Sequence, residues 1–150
     1  MTHLISTLFT ILILTGMTNA ETKNKASAST LYERLGGKEG ITAIVDDVIE
    51  AHMNNPTISA TFIPYKSQPE RMAKIRQHTI DFFSAGSGGP VQYTGRDMPA
   101  THAGMNIGAT EYMAVIDDIM GVLDKHQIDE ESKKDVLAIL WSLKGMIMEK

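Results

Sequence analysis

Apolar residues along this chain recur at helical spacing. Ile41, Ile44, Val45, Val48, Ile49 and His52 fall at steps of 3, 4, 7, 8 and 11, one stripe of an amphipathic helix that Asn54-Asn55-Pro56 brings to an end. That helix presents His52 on its inner side. Upstream, Thr30 and Glu33 have the spacing of a capping box, so Leu31-Tyr32-Glu33-Arg34-Leu35 is predicted as a short helix stopped by Gly36-Gly37. A loop holding Phe62 and Tyr65 follows. Met72, Ile75, Thr79, Phe82 and Phe83 then define a third amphipathic helix, closed by Gly86-Ser87-Gly88-Gly89-Pro90. His78 lies three residues after Ile75 and four before Phe82, which predicts an inward side chain. Asp97, with Pro99 two residues on, starts a short helix carrying Met98, His102 and Met105 before Gly108. Tyr112, Ile116, Ile119, Met120 and Leu123 mark one further helix, and Val136, Leu137, Leu140, Trp141, Leu143 and Ile147 the last. Nothing alternates in the manner of a strand. The fold class is all-α.

The first residues do not belong to that pattern. Met1 to Ala20 contain no Asp, Glu, Lys or Arg, and the aliphatic run from Leu4 to Leu14 is followed by Gly16 and the small-residue ending Thr18-Asn19-Ala20. This reads as a secretory leader cleaved after Ala20, although its start lacks Lys and Arg. The rival is an uncleaved anchor, for which the run is short, since spanning a bilayer takes about 20 apolar residues. Residues 21–29 (ETKNKASAS) are polar and small, a flexible linker. Residues 30–150 make one domain of ordinary size. Hydrophobic residues at 43% and charged residues at 21% are globular usage, which argues against a disordered or coiled-coil chain.

Charge and cysteine content narrow the chemistry. With 14 Lys+Arg against 18 Asp+Glu, the formal charge of −4 lacks the attraction that carries nucleic-acid binding. There is no cysteine, which removes disulfides, thiolate nucleophiles, zinc-cysteine and iron-sulfur sites, and haem attachment through C-x-x-C-H. Any metal must be held by His, Met, carboxylate or hydroxyl groups, and there are five histidines. A buried imidazole has two ring nitrogens to satisfy, so His78 and His102 each need either polar partners in a core or a metal.

The surroundings of His102 are more specific. Gly88-Gly89-Pro90-x-x-Tyr93-Thr94-Gly95-Arg96-Asp97-Met98-x-x-x-His102, together with Leu31-Tyr32-Glu33-Arg34-Leu35-Gly36-Gly37, resembles a group I truncated haemoglobin from Leu31 to the last helix. The resemblance implies a two-over-two helical sandwich around haem b, with His102 as the proximal iron ligand. An imidazole suits that role because one nitrogen binds iron while the other donates to a carbonyl. Met98 and Met105 would pack on the porphyrin, and Phe62 would lie over it. The distal side departs from the family: Val48-Ile49 stand where it has Phe-Tyr, and Thr79 where it has glutamine. The donors that hold bound dioxygen are thus missing, and the loop between Phe62 and Met72 is longer than usual.

His78 occupies the position from which some relatives supply an internal sixth iron ligand, giving a hexacoordinate resting state; otherwise it meets a propionate or solvent. His52, which shares the stripe of Ile49, is read first as a core or pocket-lining histidine and second as the rival sixth ligand, and His126, near a helix end, as a cation suited to the helix dipole. Ile49, Ile75, Thr79, Phe62 and Phe83 would line the pocket, with Val115, Ile119 and Ile139 or Leu140 below the macrocycle; any helical protein would also bury such residues as core. Arg76 and Arg96 face propionates or simply solvent. The expected protein is an exported monomer that binds diatomic gases. As a gas binder it could act as a nitric-oxide dioxygenase with a separate reductase; the alternatives are a redox protein, either an electron carrier or a nitrite-reductase-like or peroxide reductant, or a non-enzymatic haem or gas sensor. A haem-free interaction domain does not account for the motif around His102. Neither nucleic-acid binding nor stable membrane insertion is expected.

Overall fold

The computed structural model describes residues 29–150, so the leader and nearly all of the linker lie outside the described residues. The helices are α1 (Leu31–Arg34), α2 (Gly37–Asn54), α3 (Ser59–Phe62), α4 (Pro69–Gly86), α5 (Met98–His102), α6 (Ala109–Lys125) and α7 (Glu130–Ile147), with a 3-10 turn at Ile63–Ser67. No strand occurs among the described residues. None of these helices is long and apolar enough to cross a membrane.

α2, α4 and α6 enclose the core. Ile41, Ile44, Val45 and Val48 of α2 meet Ile80 of α4 and Ile119, Val122 and Leu123 of α6, joined by Leu35 and by Val136 of α7. Each fully buried aliphatic side chain is worth about 1.5–3 kcal/mol. α4 has two faces. Ile80 and Ser84 are buried and Arg76 pairs with Asp46 of α2, so this side packs on α2. Positions two apart on a helix lie about 200° round, which carries His78 and Phe82 to the opposite side, where Phe82 meets Tyr93 edge-on with ring centres 5.3 Å apart.

α1 is joined to distant parts of the chain. Its capping box forms as the sequence predicts, the Tyr32 amide donates to the Ser87 carbonyl (2.9 Å), and Arg34 reaches α7, bonding Ser132 Oγ (2.9 Å) and pairing with Asp135. Gly89 has to be glycine here, because a Cβ would come within 2.5 Å of the Tyr32 ring. Near the middle of α2, Asp47 receives Lys125 Nζ (3.0 Å) and His126 Nε2 (2.6 Å) from the end of α6.

Three features differ from the sequence reading. Where a loop was expected around Phe62 and Tyr65, the chain winds into α3 and the 3-10 turn, elements too short to show a period. Leu137 and Trp141, expected on the inner stripe of α7, are exposed, Trp141 at 53%, with Lys144 Nζ over its ring. They sit about 100–140° round from Val136. Met105, expected on the short helix, lies beyond it, because Ala103 turns extended (ψ 128) and Gly104 left-handed (φ 79).

Candidate functional site

α5 is a single turn in which no residue is buried. Asp97 caps it by accepting from the Ala100 amide (2.8 Å), and Pro99 presets its first turn. The preceding segment is pinned by Tyr93, whose hydroxyl donates to the Arg96 carbonyl (2.8 Å) across Gly95, where a Cβ would stand 2.2 Å from that oxygen. The turn spelled Tyr93-Thr94-Gly95-Arg96 therefore aims α5.

His102, partly buried, closes the turn: its Nδ1 lies 2.8 Å from the Met98 carbonyl oxygen. A carbonyl only accepts, so Nδ1 carries a proton, and in the neutral ring Nε2 is then the nitrogen with the free lone pair. A neutral imidazole fixed in one tautomer with its other nitrogen available is the donor that haem iron requires. Met98 beside it is partly buried, and Met105 is exposed.

His78 is exposed, which corrects the expectation of an inward side chain, and its ring meets Tyr93 edge-on at 6.3 Å. The phase with Ile75 and Phe82 is real. The face they share is the one opposed by the segment leading to His102, whereas the core face is that of Ile80.

His52 is buried, at 6% exposure. Its Nδ1 lies 2.8 Å from Asp118 Oδ2, while Asn55 donates to Asp118 Oδ1 (2.9 Å) and Phe62 lies against the imidazole at 5.3 Å. Burial pushes the His52 pKa down, and the attraction of Asp118 opposes this without overcoming it. A neutral ring must donate Nδ1–H to the carboxylate, so of the two readings of His52 the hydrogen-bonded interior one describes it. Sequence reasoning missed Asp118; the available signal was an acidic residue next to Ile119 on an apolar stripe.

The remaining residues separate by burial. Val48 (3%) and Ile119 (4%) belong to the core, against which Ile49, Phe83, Val115 and Leu140 pack partly buried. Phe83, Leu140 and Ile139 also line an apolar cleft with Leu31, Leu35 and Phe82. Ile75 and Thr79 are partly buried, and the Thr79 hydroxyl donates to the Ile75 carbonyl (2.9 Å). Its proton is taken by its own helix. Arg76 is bonded to both oxygens of Asp46 in an ion pair that leaves its side chain 38% exposed. Arg96 is exposed.

Residues 30–149 match the bacterial-like globin family. The chain belongs to that family. It is 30% identical over 122 residues to the group 1 truncated hemoglobin GlbN of Nostoc sp. (strain MUN 8820), covering 81% of this chain and 99% of that one. The corresponding protein of Nostoc commune is 29% identical over the same span. Two solved structures share the fold. The truncated hemoglobin of Tetrahymena pyriformis in the Fe(III) form superimposes with a TM-score of 0.74 at 21% identity, over 81% of this chain and all of that one. The 2/2 hemoglobin of Synechococcus sp. PCC 7002, in the cyanomet state with covalently attached heme, gives 0.68 at 22%, over 77% and 94%. This is a group I truncated globin with the all-α 2/2 fold, and haem b is the cofactor its donor set fits.

Proposed function

We propose that this globin is an exported haem protein that takes diatomic ligands at an iron held by His102, with His78 competing for the sixth position. The observation that carries the reading is the His102 imidazole, fixed by the Met98 carbonyl so that Nε2 is free. Haem supplies reversible gas ligation and one-electron redox chemistry at its iron. The chain decides how strongly a gas is held. A ligand with partial negative charge needs hydrogen-bond donors, and this side offers Val48, Ile49 and Ile75, with the Thr79 hydroxyl already donating elsewhere. His78, on the α4 face opposed by Tyr93, is the imidazole supplied to the sixth position. Any incoming ligand then meets only the molecules in which His78 is released, and its apparent affinity falls by that fraction.

A second reading has one observation in its favour. His78, whose ring meets Tyr93 of the segment leading to His102, would with His102 make a ligand set that need not change with iron oxidation state, which suits electron transfer with a reductase as partner.

Absorption spectra test both readings. Purified protein should give a low-spin six-coordinate deoxy-ferrous spectrum, and His78→Ala a five-coordinate high-spin one with faster carbon monoxide binding. His52→Ala should keep the wild-type coordination. High-spin wild type, or a change confined to the His52 variant, rules out His78. The export part of the reading stands on Met1 to Ala20, and mass spectrometry of native protein should find Glu21 at its amino terminus.

A further inference from the structure

The far end of the chain returns to the helix that carries His102. α5 is one turn with no buried residue, and a helix of that length does not persist unaided in water. Its beginning is held locally, by the Asp97 cap and by Thr101 Oγ1 on the Arg96 carbonyl (3.3 Å). Its end is held from elsewhere. The chain leaves the helix at Ala103, and the amides of Gly104 and Asn106 both donate to the main-chain oxygen of Lys150, at 2.9 and 3.3 Å. In return the Glu149 amide donates to the Ile107 carbonyl (3.1 Å). To reach this position the chain turns extended at Met148 and left-handed at Glu149 (φ 56), facing a loop in which Asn106 is also left-handed (φ 48). Side-chain-bearing residues rarely adopt that conformation, and it persists where surrounding contacts over-determine it.

We propose that the backbone of residues 149–150 is a latch that positions His102. By fixing the exit of α5, the end of α7 sets where the imidazole stands and how tightly it holds iron. The proposal rests on His102 being the iron ligand. Glu149 and Lys150 act here through main-chain atoms, so their side chains are dispensable while the Glu149 N–H and its φ are not.

Four haem-loaded variants of the full chain separate these properties: Lys150→Ala, Glu149→Gly, Glu149→Pro, and a chain lacking residues 149–150. Proline suits the extended Met148 before it, but it has no N–H and cannot reach φ 56. Three readouts apply: amide exchange at Gly104 and Asn106, haem loss to excess apomyoglobin, and the iron–imidazole stretch in resonance Raman of the photodissociated carbonyl form. That form is five-coordinate whatever His78 does. The proline and shortened variants should release haem about tenfold faster, the combined worth of two or three net backbone hydrogen bonds, with a shifted iron–imidazole band. Lys150→Ala and Glu149→Gly should match wild type. The latch is overturned if the first pair, with Gly104 and Asn106 exchanging freely, keep the wild-type band and haem-loss rate, or if Lys150→Ala alone reproduces the defect. An iron–imidazole band that survives His102→Ala would instead remove the ligand assignment beneath it, a result separate from either.

Discussion

Two histidines in this globin are fixed by the same atom and by opposite surroundings. His52 gives its Nδ1 proton to Asp118 among the packed helices α2 and α6, and His102 gives its own to the Met98 carbonyl on a one-turn helix with nothing buried. The first region draws its stability from side chains such as Ile41, Val45 and Leu123, all at 0% exposure. The second is held by caps, a tyrosine strap and backbone bonds from the chain's end. A segment of low local stability is one that ligand binding can tighten. The molecule thus separates a scaffold that folds by burial from a His102 segment held by local and backbone bonds, the part that the proposed haem ligation would tighten.

Removing the proposed proximal imidazole presses hardest on that separation. His102→Ala should lose haem, or hold it loosely, while the helical circular dichroism of the bundle survives; a normal haem spectrum and affinity would end the assignment. Next comes packing. Leu123→Ala should lower the stability of the haem-free protein by about 2–5 kcal/mol in urea unfolding, whereas Met105→Ala, on the exposed side of the carrier, should stay within about 0.5 kcal/mol. Equal effects would show that the two regions are not energetically distinct.

His52 gives the scaffold a pH dependence. Burial holds its folded pKa below the ordinary 6.5, so the unfolded chain takes up a proton before the folded one does. Stability should fall as pH drops below about 6.5 and level off once the folded value is passed. His52→Gln should flatten that part of the curve, and a slope unchanged by the substitution would mean that another group titrates. The smallest effect belongs to Thr79→Val. Because the Thr79 hydroxyl bonds its own helix, stability should move by less than about 0.5 kcal/mol and carbon monoxide affinity should hold. A large change in affinity would mean that the hydroxyl reaches the ligand.

The sequence made the long helices legible because their stripes repeat over several turns, and caps such as Thr30 with Glu33 and Asp97 formed as read. The site was legible where a motif dictates a local turn, as from Tyr93 to His102. What escaped was of two kinds. Period alone cannot tell which of two apolar faces meets the core, and so the spacing of His78 with Ile75 and Phe82 points inward although the core face is that of Ile80. Nor can spacing reveal partners remote in the chain: Asp118 lies 66 residues from His52, and Asp46 lies 30 from Arg76.

The bonds from Arg34 to Ser132 and Asp135 span 98 and 101 residues. Contacts of such separation are slow to form, because the loop they close must be ordered first. Among the described helices α1 comes first in the chain, yet its side-chain bonds to α7 can form only after the last of them. Until α7 exists, Arg34 has no partner there, and the opening segment stays open to whatever handles a nascent chain. Weakening Arg34 would alter the order in which the chain assembles more than the shape it reaches.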